Sequence, residues 1–595
     1  MASLEKHNQP LDNRLAKHLL RRACFHYSQE LLNESEGKTP EQVLSILKKN
    51  KEFFWNWPYD VVPYGQNTSC PGETHASWLE DPNWSNSKYS CGQNRKRAIV
   101  AGWWWFNMIR QNNIYDKLTW FLFTTFTLSK DDGSGKSAHF FDYLNLLSFY
   151  SDKSVKTLAK KITFDNSMLY YLDNSDNSKT SPNENYGREF LELFTIGKGP
   201  QIGDGDYTNY TEHDVVMASK VFTGVRLKPN RDTFDSETAG SSHYPNGIPC
   251  GYIQINRHET SNKTFSNAFN NTTINGGSNE NSIRQELDDF VEMIFEKDET
   301  AKNYVRKLYR MYVKSEWDEE IEQDIISPLA NQLKNNGYNL IDTLETLLCS
   351  KHFFDLDDSN SNDENIGAMI KSPLQYISEI ISLFKIQIPD ASATPPEIGK
   401  TLDNDDELYN FYRFWHWFLH NSFFVSTGMG FFAPSTVAGY AGDYQGPMYD
   451  RAWFNSNTLL GRYNTILSFI GKSYNGDNRN GNDQIAGKFV TNTGNYYYRR
   501  IWTIFNCVSF IAENFSDPSE PKTLIEDISK LLYCELIDDD RINYFKRFLV
   551  PDSEPDYYWT AAWNDYLSSN DDTQVKLRIS QLLIHMTNAP EFQTM

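Results

Sequence analysis

No apolar run in this sequence approaches the ~20 residues of a membrane-spanning helix. The tracts Trp103 to Ile109 and Leu118 to Leu128 are too short and are broken by polar residues. The first residues, Met1-Ala2-Ser3-Leu4-Glu5-Lys6-His7, lack a hydrophobic signal region, so either the protein stays inside or a leader is absent from this sequence. Positive charge is in deficit: 57 Lys and Arg stand against 78 Asp and Glu, a net charge of −21. That balance opposes nucleic-acid binding, which needs a basic face to displace counterions, and it disfavours docking on anionic lipid. Cysteine is scarce, with seven in 595 residues, and an odd count leaves at least one thiol unpaired within the monomer. Cys70 and Cys91 bracket a loop rich in Pro, Ser, Asn and Trp; a disulfide could brace it, and free thiols are the competing reading. Also missing are a GxSxG elbow, HExxH, a CxxC pair and GxGxxG after a strand. The Glu-x-x-His spacing of a di-iron bundle does not occur on the central helix described below.

What is present is a folded, aromatic-rich chain: 39% of residues are hydrophobic and 15% aromatic, which argues against disorder. The length would allow about four domains. The pattern reads as mainly α, a large multi-helix domain over 1–595 with long irregular insertions and a small β-hairpin element. Leu11 to Cys24 is expected to be helical, and Thr39-Pro40-Glu41-Gln42 is a capping box with proline at the first helical position. Arg95 to Gln111 and Asp116 to Leu128 read as long apolar helices, with Trp103-Trp104-Trp105 as core. Ala138 to Tyr150, Ser154 to Ile162, Ser282 to Glu296, Glu299 to Lys314, Asp318 to Asn335, Leu340 to Cys349, Ile370 to Leu383 and Leu408 to Phe418 follow as helices. Tyr498 to Glu513, Leu524 to Leu536 and Gln574 to Met586 complete the set. Three stretches interrupt it: Glu52 to Tyr89, a loop and hairpin insertion at 226–277, and the Gly-rich Ser422 to Ala452. Residues 355–364 read as an acidic linker. Arg306, Arg310 and Lys314 form a basic stripe, read as a solvated face or a partner to acidic neighbours.

Polar chemistry concentrates between Asp165 and Gly224. Pro182 and Asn183 open a helix in which Tyr186, Phe190, Leu193 and Phe194 recur at helical spacing, and Gly197 with Gly199 closes it. Glu184, Arg188 and Glu192 share one stripe; Asn185, Glu189 and Glu192 share a neighbouring face. Arg188 is expected to be buried between Glu184 and Glu192, or to reach a carboxylate of another helix such as Asp214.

These residues carry a resemblance. The signature Asn-Glu-Asn-Tyr-x-Arg-Glu-x-Leu-Glu-Leu-Phe of Asn183–Phe194 is similar to that of a bacterial domain-of-unknown-function family, number eighteen hundred in its series. Met168 to Asn174, Tyr210 to Asp214 and Phe222-Thr223-Gly224 extend the likeness, and so do Leu19-Leu20-Arg21-Arg22-Ala23 and Lys371-Ser372-Pro373. Phe432-Ala433-Pro434, Val437 to Tyr440, Trp453 and Arg462 complete it. His258-Glu259 with Lys263 resembles the family's His-Asp…Lys element, glutamate replacing aspartate. Some relatives carry a histidine in the aromatic helix before the central block; the matching run here, Phe121 to Phe126, has none.

The family label carries no activity, and two readings stay open. In one the protein is an enzyme of the cell envelope whose site comprises Glu184, Arg188, Glu189, Asp214 and His258. A divalent metal would then sit on Glu189, Glu192 and His258, or the carboxylates would act as acid and base while Arg188 orients an anionic group. In the other, the charged residues form a structural ion-pair network and the protein is a non-catalytic envelope binding or assembly protein. Its abundant Tyr, Trp and Asn would meet a polysaccharide or a protein surface. An envelope or periplasmic setting, with an exported sulfatase-like protein as partner, is implied only by the company that relatives keep.

Overall fold

The computed structural model describes residues 2–49, 51, 57–58, 77–79, 92–132, 135–358, 364–386, 388, 423–471, 484–485, 490–493, 496–499 and 504–595. The chain is mainly α, with strands only in two-stranded antiparallel pairs among these residues. Helix starts follow the local chemistry. Thr39 caps Pro40–Lys48 through a reciprocal box, Gln42 N donating to Thr39 Oγ1 at 3.4 Å and Thr39 N to Gln42 Oε1 at 3.0 Å. Asn113 caps Ile114–Thr125, and Ser372 caps Pro373–Leu383 with proline in the first turn.

The core is one apolar cluster that runs from Leu11 to Phe592. Trp103, Trp104 and Trp105 of Gln93–Ile109 lie inside it, and Trp105 Nε1 donates to Ser378 Oγ at 2.9 Å. Buried charge ties the two ends of the sequence together. Arg21 of Asn13–Ala23 meets Glu379 of Pro373–Leu383 at 2.6 Å, and Lys371 approaches the other oxygen at 3.1 Å. Arg22 donates to the carbonyls of Asn365 and Met595, and Arg462 to that of Lys371. Arg21, Arg22, Lys371 and Arg462, scattered in sequence, are thus members of one buried network.

Some expectations change. Within 226–277 there are three strand pairs rather than one hairpin: Val225–Arg226 with Tyr252–Ile253, Phe234–Asp235 with Ile248–Pro249, and Lys263–Thr264 with Thr273–Ile274. The stretch expected as a helix from Tyr498 begins instead as the strand Tyr496–Arg499, paired with Val490–Thr493, and the helix is confined to Cys507–Asn514. Consecutive tyrosines prefer a pleated neighbour, and that local preference prevails. Asp318 to Asn335 is helical throughout but passes through a π-turn at Glu322–Ile326. Asp355 accepts from Asn365 N at 2.7 Å and Ile366 N at 3.0 Å, folding the ends of the acidic linker together. Cys70, Cys91 and the Leu408 to Phe418 helix lie outside the described residues; Cys24, Cys250, Cys349, Cys507 and Cys534 are free thiols. No helix among the described residues is long and apolar enough to cross a membrane.

Candidate functional site

The central helix opens at Asn183, whose side chain accepts from Asn185 N at 3.0 Å. It is α-helical over Glu184–Glu189 and becomes a π-helix over Phe190–Phe194. Its apolar face is an aromatic stack: the Tyr186 and Phe190 rings lie 4.7 and 5.1 Å from that of Phe222, and Phe190 lies 5.7 Å from Phe290. A π-turn shifts hydrogen-bond register and leaves carbonyls without α-helical donors. Helix Asp298–Tyr312 supplies replacements: Lys307 Nζ donates to Leu193 O at 2.6 Å, Asn303 Nδ2 to Thr195 O at 2.6 Å, and the Tyr304 hydroxyl to Phe194 O.

That shift redistributes the charged stripe. Arg188 does not lie between Glu184 and Glu192. Its guanidinium makes a two-pronged pair with Glu212 at 2.5 and 2.8 Å, while Glu184 stands 3.8 Å away. It does reach a neighbouring helix, Glu212–Val221, but through Glu212 rather than Asp214. With Arg188 33% and Glu212 41% exposed, such a pair contributes under about 1 kcal/mol, not the several of a buried one. Glu192 turns instead to Lys198 at 2.6 Å and the Tyr210 hydroxyl at 3.2 Å. Glu189 is buried beside it; burial first, and then the charge of Glu192, push its carboxyl up to about 7.

Asp214 and His258 belong to the scaffold. Asp214 is buried and accepts from Thr211 N and Oγ1 at 2.8 and 2.9 Å, closing a capping box. Ser266 N and Oγ donate to it at 2.7 and 2.6 Å, fastening the 258–277 loop to the same helix end. His258 is buried, Nδ1 facing Thr223 O at 2.8 Å and Nε2 facing Glu286 Oε2 at 3.0 Å; Lys263 completes the knot 2.6 Å from Glu286. The metal set Glu189, Glu192 and His258 is therefore not assembled. Among the described residues no three His, Cys, Asp or Glu side chains are placed to hold a metal ion. The physical reason is that both His258 nitrogens are taken by partners on its own loop's support.

The π-turn has a second consequence. Glu192 and Leu193 form one wall of a partly open cavity of about 130 Å³, between the Ile114–Thr125 helix, the Asp298–Tyr312 helix and residues 438–453, from the Gly-rich stretch to Trp453. Three cations line it. Lys117 is held by Arg21 O at 3.0 Å, Gln375 Oε1 at 3.2 Å and Cys24 O at 3.4 Å, so its three N–H bonds are committed. Lys307 is anchored only to Leu193 O. Burial lowers both ammonium groups to about 7. Arg310 packs 4.4 Å over the Tyr449 ring and 5.2 Å over that of Trp317; it has no ion pair among the described residues, and its Nε is buried without a hydrogen-bond partner.

Two carboxylates face them from the Gly-rich stretch. Asp450 accepts from Ile370 N at 2.7 Å and from the Ser315 hydroxyl. Asp443 Oδ2 is buried with no partner, and burial pushes this carboxyl up to about 7 against the opposing charge of Arg310. Lys117, Lys307 and Asp443 stand in no motif of the sequence, and Arg310, of the stripe expected as a solvated face or a partner to acidic neighbours, is half-buried near the acidic Asp443. One signal was available: Ala438 and Trp453, from the resemblance motifs, line this cavity, as do Thr124 and Thr125.

A family model described as "Protein of unknown function (DUF1800)" matches residues 18–594. No curated protein and no solved structure matches the chain.

Proposed function

The chain belongs to the DUF1800 family, whose description names no reaction, and we propose from the cavity that it is an enzyme moving a proton on one small polar molecule. The observation that carries this reading is Asp443: a carboxyl lining a cavity, one oxygen buried and unpartnered, poised near neutrality. A general acid or base works best with a pKa near the working pH, and perturbed groups in clefts are candidates for that role. Asp443 would exchange the proton, Lys307 and Arg310 would orient the molecule, and Glu192, neutralised by Lys198, would shape the wall. Size bounds the substrate. A cavity of about 150 Å³ holds benzene, so 130 Å³ suits a single small metabolite.

A second reading, a non-catalytic carbohydrate-binding protein, is favoured by a different place. An open groove of about 330 Å³ is lined by Glu554, Tyr557, Tyr558, Gln574 and Arg578, with Tyr557 73% exposed and Arg578 stacked 4.6 Å over Tyr558. Exposed aromatic faces rimmed by polar groups suit a sugar ring. A thermal-shift screen of small metabolites and soluble oligosaccharides separates the two. The enzyme reading expects metabolite hits that Asp443→Asn loses while remaining folded. Oligosaccharide binding lost in Tyr557→Ala and kept in Asp443→Asn would favour the second reading, and metabolite hits indifferent to Asp443 would overturn the first.

A further inference from the structure

The cavity holds two unsatisfied groups of opposite charge, beside a buried, unpartnered amide nitrogen, Gln375 Nε2. Arg310 is a guanidinium with no ion pair and a buried, unpartnered Nε; Asp443 is a carboxyl with a buried, unpartnered Oδ2. Both line the same space, and each feels the other's charge. No salt bridge joins the two among the described residues, and Asp443 Oδ2 has no hydrogen-bond partner. The other charged groups of the lining have partners: Lys117 three acceptors, Lys307 the Leu193 carbonyl, Glu192 Lys198 and Tyr210, and Asp450 Ile370 N and Ser315.

Leaving a buried polar group without a partner is costly, and a separated pair of them in one cavity is completed by a molecule that reaches both. Arg310 needs acceptors, for which a carboxylate is a geometric match to a guanidinium held flat on aromatic rings. Lys307 lies one helical turn before Arg310 on the same face, so a second cationic donor stands beside that end. Asp443 needs a donor, and an ammonium or hydroxyl group supplies it. Phe25, Trp120, Leu193, Met311 and Trp453 supply apolar surface between Thr124, Thr125 and Ser372, which suits a short carbon chain between the two ends.

We propose that the molecule bound here is a small amino-acid-like zwitterion, its carboxylate on Arg310 and its ammonium on Asp443. This rests on the cavity being the functional site, as argued above, and adds the chemical class of its occupant.

Titration calorimetry on the full chain tests it with a matched series: glycine, β-alanine and 4-aminobutyrate, against butyrate, butylammonium and butanol. At least one amino acid of the series should bind roughly tenfold or more tightly than the single-ended compounds, since each charge-assisted contact is worth about that much. Arg310→Met should erase the advantage conferred by the carboxylate, Asp443→Asn that conferred by the ammonium, and Lys522→Ala, an exposed residue that does not line the cavity, neither. If Arg310→Met fails to fold, the ranking of the six compounds on the unmodified protein decides alone. Equal binding of acid, amine and alcohol, or a preference for either single-ended ion, overturns the inference while leaving a small-molecule site in place. Failure of every probe in the series overturns it as well. Failure of the wider metabolite screen would then remove the site reading too.

Discussion

Glu189 stands on the buried side of the central helix with Glu192 close by, and both surroundings favour its neutral form. Its carboxyl ionises near 4.5 in the unfolded chain and near 7 in the folded one. Between those values the native state holds more protons, so stability falls as pH rises through the window and the full penalty stands above it. Glu189→Gln removes the titrating group. The variant should gain on the unmodified protein as pH climbs from about 4.5 to about 7, by on the order of 1–2 kcal/mol at pH 8 after screening by nearby solvent. Urea unfolding midpoints across this range measure it, and a difference that stays constant with pH would show Glu189 ionising normally. The sequence placed Glu189 beside Glu192 correctly, because that needs only helical spacing. It could not show that Glu189 faces inward while Arg188 faces water, since both positions border the same apolar stripe.

At the level of elements, the close approach of the central helix to Glu212–Val221 depends on Gly187. A Cβ there would stand 3.0 Å from Ser219 N, 3.2 Å from Val215 O and 3.3 Å from Ala218 Cβ. Two of these atoms are helix backbone and cannot swing aside. Alanine gains about 1 kcal/mol in helix propensity, but overpacking against backbone costs typically 1–3 kcal/mol and moves the helices apart. Gly187→Ala should therefore lower the thermal midpoint, and the spreading should lengthen the Arg188–Glu212 pair. A variant as stable as the parent would mean that this contact yields easily. The π-turn that follows was not legible. Phe190–Phe194 has an ordinary helical pattern, and the extra residue in the turn is stabilised by Asn303, Tyr304 and Lys307, more than a hundred positions away.

Across the whole molecule, Glu379 joins the two ends of the chain. It is fully buried between Arg21 and Lys371, and Arg21 also reaches the carbonyl of Leu532. Burial works against its charge, yet the two cations hold its carboxyl below the usual range. Glu379→Gln would leave them uncompensated in a water-free interior, so stability should fall by about 3–5 kcal/mol. Denaturant unfolding followed by tryptophan fluorescence reads this directly, and a loss under about 1 kcal/mol would show the network to be relaxed by other partners.

The sequence by itself determined the mainly helical class, the helix starts at Thr39 and Asn183, the burial of Trp103 to Trp105 and the family. Each of these depends on neighbours a few residues apart: a capping oxygen, an apolar period, a proline at a first turn, a motif read along the chain. Only the tertiary structure decided that Asp214 and His258 are fastenings, that Arg188 pairs with Glu212, and that Arg21, Arg22, Lys371 and Arg462 share one network. It also decided that Glu192, Arg310 and Asp443, drawn from three distant stretches, border one cavity. Spacing specifies which side chains share a face of an element. Which faces meet, and which charges remain unpaired when they do, is set by packing between elements distant in sequence, for which a single chain carries no local period.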